Sequence, residues 1–166
     1  QNCPEAHIKV AGISVLGVNG IKSRIKISAY GKYLRRLILK NRLEGKVRVL
    51  GNLSAEEMKR EYLSAQIVVC PSAVENSPNS VAEGQLLGVP VAASRTGGIP
   101  DVVKDGVSGL LFEKGNIHEL AACVSRILTD KQLAKELSAS ERETAAKLYN
   151  GENNYQKLIE IYQSIE

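Results

Sequence analysis

Two glutamates, Glu75 and Glu83, flank seven residues in the stretch VENSPNSVAEGQLLGVPVAAS, which covers residues 74–94. Carboxylates at fixed spacing do acid–base work, bind metals, or accept hydrogen bonds from hydroxyls. Here the first follows an apolar run, QIVVCPS, and reads as a loop residue. The second falls about one turn inside a helix opened by Ser77, Pro78, Asn79 and Ser80. Pro78 suits the first helical position, with Ser77 as a candidate cap. Free amides and the positive dipole end of such a helix attract phosphate. A carboxylate one turn further in could accept hydrogen bonds from a pair of sugar hydroxyls. Phosphate beside hydroxyls describes a nucleotide. The plainer readings are a capping partnership of Glu83 with Ser80 and a solvated loop carboxylate at Glu75.

Other chemistries lack their residues. Gly12, Gly17 and Gly20 are spaced wrongly for GxGxxG, and Gly20 is followed by Ile21, Lys22 and Ser23 rather than by the Lys-Ser/Thr of a P-loop. There is no Asp-x-Asp for a divalent metal. His7 and His118 have no carboxylate or cysteine at ligand spacing and read as structural. Cys3, Cys70 and Cys123 show no CxxC pattern, and a reduced, cytoplasmic compartment is expected. Cys70 and Cys123 read as small buried hydrophobes.

The elements that must position these groups alternate. HIKVAGI reads as a strand, VNGIKSRIKIS as a loop with a short extended piece, and KYLRRLILKNRL as a helix stopped at Gly45. KVRVLG is a strand. Ser54 with Glu57 forms a capping box, with Leu53 and Met58 as its hydrophobic staple. Met58, Tyr62 and Ala65 make one buried stripe, and QIVVC is a continuous apolar strand of the kind buried on both faces. The opening helix, the strand PVAAS, the glycine turn TGG and the segment VSGLLF follow. Asn116 and Glu119 begin a helix expected to bury Ile117, Leu120, Ala121, Val124 and Leu128. The last helix carries Tyr155, Leu158, Ile159, Tyr162 and Ile165 on one face. Alternation of this kind predicts a doubly wound, Rossmann-like α/β sandwich around a parallel sheet, whose ligand lies beyond the carboxyl ends of the strands.

Composition agrees with a globular α/β domain: 166 residues, 43% hydrophobic and 24% charged. No apolar run approaches the roughly 20 residues of a membrane span. The chain begins QNCPEAHIKVAG without Met, so a fragment is expected. Charge is uneven. Between Lys22 and Arg48 ten basic residues face a single acid, Glu44, giving that segment +9 within a chain of net +4. A solvated helix face is one reading, and attraction to phosphate or an anionic membrane surface is the other. Nucleic acid is disfavoured, because Tyr30 and Tyr33 are too few for stacking platforms.

Residues 47–130 resemble the donor-binding half of the retaining glycosyltransferases of GT-B fold, family 4. VRVLGNLSAEEMKREYLSAQIVVCPS is similar to the family's strand-Gly-helix-strand-Pro-Ser run. ENSPNSVAEGQLLGVPVAAS carries its spaced glutamates and Gly-x-Pro-Val, and GGIPDVVKDGVSGLLFEKGN resembles its later loop. By that resemblance Glu75 lies beside the transferred sugar as the catalytic-site carboxylate, and Glu83 binds the ribose. Amides near Pro78, Asn79, Ser80 and Val81 meet the diphosphate and sugar, and the base lies near Leu50, Gly51 and Leu53.

The resemblance further implies retaining transfer from a UDP- or GDP-linked sugar in polysaccharide, lipopolysaccharide or glycolipid synthesis. No metal or other cofactor is required. The acceptor is a saccharide or lipid-linked molecule. Peripheral membrane contact is a further expectation from the basic segment, and self-association one from the apolar stripe of the last helix. Residues 1–166 are read as one donor domain, lacking its first strand with the Gly-Arg and Lys diphosphate clamp, and lacking the N-terminal acceptor domain. Lys22, Arg24 and Lys26 do not reproduce that clamp, and residues 14–29 look like an insertion. Two alternatives remain open: a nucleotide-sugar epimerase, and a non-catalytic nucleotide-sugar or membrane-binding module.

Overall fold

The computed structural model describes Cys3, residues 5–12 and residues 29–165. The expectations for residues 14–28, including Lys22, Arg24 and Lys26, lie outside the described residues. The described chain divides into two compact units, residues 1–61 and 62–166.

The first unit pairs two parallel strands, β1 (Ile8–Ala11) and β2 (Val47–Gly51), with Ile8 opposite Val47 and a register shift before Gly51. Between them runs α1 (Ala29–Lys40). It ends five residues before the expected stop at Gly45. Arg42 takes the left-handed conformation, φ 53°, and the Leu43 amide donates back to the Ile38 carbonyl at 2.9 Å. That wrap uses a carbonyl a glycine stop would have used, and the Asn41 side chain caps the Leu37 carbonyl at 2.8 Å. Gly45, φ 80°, instead turns the chain into β2. The expected capping box is present at the start of α2 (Ala55–Ser64): the Glu57 carboxylate accepts from the Ser54 amide at 2.8 Å, and Ser54 Oγ accepts from the Glu57 amide at 3.3 Å.

The second unit holds a parallel sheet in the order β3 (Val68–Cys70), β4 (Val91–Arg95), β5 (Leu110–Glu113). Val68 lies opposite Val91, and Ala92 opposite Leu110. The central strand is small and apolar, and Val91, Ala92, Ala93 and Ser94 are all buried. Ala92, Leu110 and Phe112 form a core with Ile127 of α5 (Ile117–Thr129) and Leu137 of α6 (Lys131–Leu148). Across the sheet, α3 (Asn79–Leu87) packs so closely that a Cβ on Gly84 would stand 3.2 Å from the Val68 side chain. The left-handed Gly88, φ 67°, ends α3 by returning its own amide and that of Val89 to the last turn. A short α4 (Ile99–Val102) lies between β4 and β5, and α7 (Gly151–Gln163) closes the chain.

All the described strands are parallel and flanked by helices, as expected, although they form two sheets. Two details differ from the sequence reading. Val69 is exposed while Val68 and Cys70 are buried, so QIVVC is buried on one face only. On α5 the inward residues are Leu120, Cys123 and Ile127, while Ile117, at the first turn, is 69% exposed. Asn116 caps the helix where expected, accepting from the His118 and Glu119 amides, so the helix start is right and only the face turned to the core differs. On α7 the expected stripe exists and is largely uncovered, with Tyr155, Leu158, Tyr162 and Ile165 exposed.

Candidate functional site

The chain leaves β3 at Cys70 and passes Pro71 into a loop, residues 72–76, that is held from below by the β4–α4 connection. Ser94, buried at the end of β4, donates its hydroxyl to the Ser72 carbonyl at 2.6 Å. Thr96 Oγ1 donates to the Ala73 carbonyl at 3.3 Å, and the Gly98 amide to the Glu75 carbonyl at 3.3 Å. The two segments meet backbone on backbone. A Cβ on Gly97 would lie 1.6 Å from the Glu75 carbonyl oxygen, and one on Gly98 2.1 Å from that of Asn76. Gly97 also holds φ 52°, so both its conformation and its surroundings require glycine. The result is a fixed Glu75, half-buried, whose Oε2 accepts from Ser72 Oγ at 3.1 Å.

The next element supplies donors. Helix α3 begins at Asn79, with Pro78 in the N-cap position and no side chain capping it. Ser77 is therefore not the cap, and Pro78 lies one residue outside the first helical position. Of the four residues expected to offer amides, Pro78 has no N–H, and the Val81 amide bonds to the Pro78 carbonyl at 3.1 Å. The amides of Asn79 and Ser80 are left at the helix start, where the dipole is positive. Glu83 is exposed on the second turn. Beneath it is Tyr62, 6% exposed, whose hydroxyl meets no partner at good hydrogen-bonding geometry among the described residues. Burial chiefly, and then the neighbouring Glu83 carboxylate, raises the Tyr62 phenol above its ordinary value.

Glu75, Asn79, Ser80, Val81 and Glu83 thus gather in the second unit, whereas Leu50, Gly51 and Leu53 belong to the first. There Leu50 and Leu53 line a groove of about 330 Å³ with Arg48, Val49, Glu57, Arg60 and Glu61. Gly51 turns at φ 73° and its carbonyl accepts the Gly12 amide at 2.8 Å. Glu57 is occupied by the cap of α2, and Glu61 pairs with Lys9 at 2.6 Å. Among the described residues, no three His, Cys, Asp or Glu side chains cluster to hold a metal ion, and no helix is long and apolar enough to cross a membrane.

Sequence reading missed Ser94, Thr96, Gly97 and Gly98 as the support of the Glu75 loop. Their only signal was the TGG turn. It also missed Arg48 and Arg60 in the groove, for which residue pattern offers no signal.

A parallel α/β layer whose loops pass from the carboxyl ends of strands into helix starts is the arrangement in which such folds place a ligand. The chain belongs to the family described as glycosyl transferases group 1, whose model matches residues 3–144. It is 33% identical over 119 residues to a D-inositol 3-phosphate glycosyltransferase of Corynebacterium urealyticum, covering 72% of this chain and 28% of that protein. An uncharacterized glycosyltransferase of Methanocaldococcus jannaschii is 26% identical over 165 residues, which cover 96% of this chain and 46% of the relative. The chain therefore spans less than half the length of these relatives. The fold matches that of Anabaena HepE in complex with UDP, with a TM-score of 0.83 and 23% identity over 97% of this chain and 42% of that one. Sucrose-phosphate synthase from Thermosynechococcus elongatus gives a TM-score of 0.80 and 26% identity over 98% and 39%. These are structures of the GT-B type.

Proposed function

We propose that the chain is the donor-binding domain of a retaining glycosyltransferase of family 4, and that it binds a UDP- or GDP-linked sugar. One observation carries the reading: the uncapped start of α3, with the Asn79 and Ser80 amides, stands between a pinned Glu75 and an exposed Glu83. The diphosphate is placed at those amides. Glu83 accepts hydrogen bonds from the ribose hydroxyls, and Glu75 from hydroxyls of the transferred sugar. The base is assigned to Leu50, Gly51 and Leu53 on the family resemblance alone. The UDP held by the structural relative HepE supports the choice of ligand class.

In the transfer, the bond from the anomeric carbon to the diphosphate oxygen breaks and an acceptor hydroxyl oxygen takes its place. The acceptor's proton leaves with the diphosphate, and the nucleoside diphosphate is released. Helix-end amides aimed at the leaving phosphate stabilise the charge that develops there, and this needs no metal. Glu75 positions and polarises the sugar. It is not paired with Glu83 across one bond as in the two-carboxylate glycosidases, because Glu83 is assigned to the ribose. The acceptor is a saccharide or a lipid-linked saccharide bound by a second domain, in a cytoplasmic setting with peripheral contact at a membrane.

Isothermal titration tests the assignment. A nucleoside diphosphate should bind at about 10–100 μM. Glu83→Ala should weaken it about 10- to 100-fold, the equivalent of a charge-assisted hydrogen bond of roughly 1.5–3 kcal/mol. In the full-length protein, Glu75→Ala should depress kcat and leave diphosphate affinity unchanged, because its partner is the sugar. Equal loss of diphosphate affinity in both variants would show the two roles to be misassigned.

A further inference from the structure

Helix α1 carries no acid at all, and its outward residues are cationic: Lys32, Arg35, Arg36 and Lys40 are all exposed. None of the four, nor Arg42 just beyond, makes an ion pair among the described residues. The spacing works against the helix itself. Lys32–Arg36 and Arg36–Lys40 are like charges at i,i+4, which repel on a helix surface. Lys32 also sits in the first turn, where the dipole already disfavours a cation. A solvated face chosen for helix stability would interleave glutamates at these positions. Glu44 is the only acid between Lys22 and Arg48.

Apolar groups lie among the cations. Leu39 is 52% exposed and falls between Lys32 and Arg35 around the helix, while Tyr33, 54% exposed, borders Lys40. Tyr33 stacks on the exposed Tyr30 with ring centroids 6.5 Å apart, a rigid amphipathic pair at the edge of the cationic face. Lysine and arginine flanked by tyrosine and leucine on one side of a surface helix is the chemistry of a lipid headgroup boundary. The cations meet anionic headgroups, and the leucine and rings enter the layer beneath.

We propose that the outward face of α1 docks on an anionic membrane surface. The proposal deepens the membrane contact in the functional reading above, naming the surface that makes it. Its test needs no nucleotide, so either can fail alone.

Co-sedimentation of the chain with vesicles of phosphatidylcholine, with and without phosphatidylserine, measures the contact. Binding should require phosphatidylserine and weaken steeply with salt. A triple variant, Lys32→Gln with Arg36→Gln and Lys40→Gln, should lose about fivefold per cation and about a hundredfold in all, since each is worth roughly 1 kcal/mol at such a surface. Its melting temperature should not fall, because two repulsive pairs are removed. Tyr33→Ser with Leu39→Ser should reduce the binding that survives high salt. A control triple, Lys114→Gln with Lys135→Gln and Lys157→Gln, makes the same change in net charge elsewhere and should bind like the unaltered chain. Equal loss in the control would overturn the proposal, as net charge alone would then explain binding. Retained vesicle binding in the α1 triple variant would overturn it. So would tighter capture of single-stranded RNA than of phosphatidylserine vesicles at equal salt.

Discussion

Glu141 offers a pH dependence whose sign and size can be worked from its surroundings. Its side chain on α6 is fully buried, and Oε1 accepts the Val91 amide at 2.8 Å where β4 begins. Oε2 has no partner among the described residues, and neither does Oε1 of the buried Gln85, although Gln85 Nε2 donates to the Val102 and Ser108 carbonyls. Burial pushes the Glu141 carboxyl up to about 7, against the lowering effect of the Val91 amide. An unfolded glutamate titrates near 4.5. Between those values the folded chain holds a proton that the unfolded chain has lost. Stability is therefore fully present below pH 4.5, falls as pH rises, and levels off above about 7. The gap corresponds to about 3 kcal/mol at 1.36 kcal/mol per pH unit. Glu141→Gln keeps an acceptor for Val91 and cannot ionise. Urea unfolding of both proteins across this range should show the variant gaining on the parent by up to about 3 kcal/mol as pH rises, with near-equality at the acid end. Taking the difference cancels every other titrating group. Parallel profiles would mean that Glu141 is charged or hydrated in the folded state.

Gly97→Ala should be severely damaging, since its Cβ is directed 1.6 Å from the Glu75 carbonyl oxygen and its φ of 52° disfavours any side chain. The Glu75 loop must move by an ångström or more, and transfer activity of the full-length protein should fall about 100-fold; unchanged kcat would mean that the loop is not held by this contact. Ser54→Ala removes the capping box with Glu57 and should lower stability by about 1 kcal/mol in thermal melts. The chain should associate with rising concentration in sedimentation through α7, where Leu158, Tyr162 and Ile165 are exposed. Ile159→Lys together with Tyr162→Lys should suppress that association, and a parent chain monomeric at high concentration would contradict it.

What the sequence made legible was local. The Ser54–Glu57 box and the Asn116 cap each join residues three apart, so their chemistry is written in adjacent letters. The parallel α/β alternation is likewise carried by short apolar runs. The Glu75 loop was visible as a loop, but its support was not: Ser94 reaches Ser72 across 22 residues, and Thr96 reaches Ala73 across 23. Only the fold brings those segments together. Glu141 contradicts hydropathy outright, since nothing nearby marks a glutamate as buried, and the amide that tethers it lies 50 residues away. Arg42 took the left-handed position expected further on, because the last turn of α1 could close on Ile38 without a glycine. The start of α3 slipped by one residue for a related reason: a proline fits both the cap and the first turn, and no side-chain cap settles the choice.

In the proposed function, Glu83 holds the ribose of a nucleotide whose phosphates sit at the start of α3. The most direct measurement is a double cycle of affinities by isothermal titration: UDP and 2′,3′-dideoxy-UDP, each against the parent chain and Glu83→Ala. If Glu83 accepts from the ribose hydroxyls, removing either partner should cost about 10- to 100-fold and removing both should cost little more. Losses that simply multiply would place Glu83 away from the ribose and overturn the proposed site.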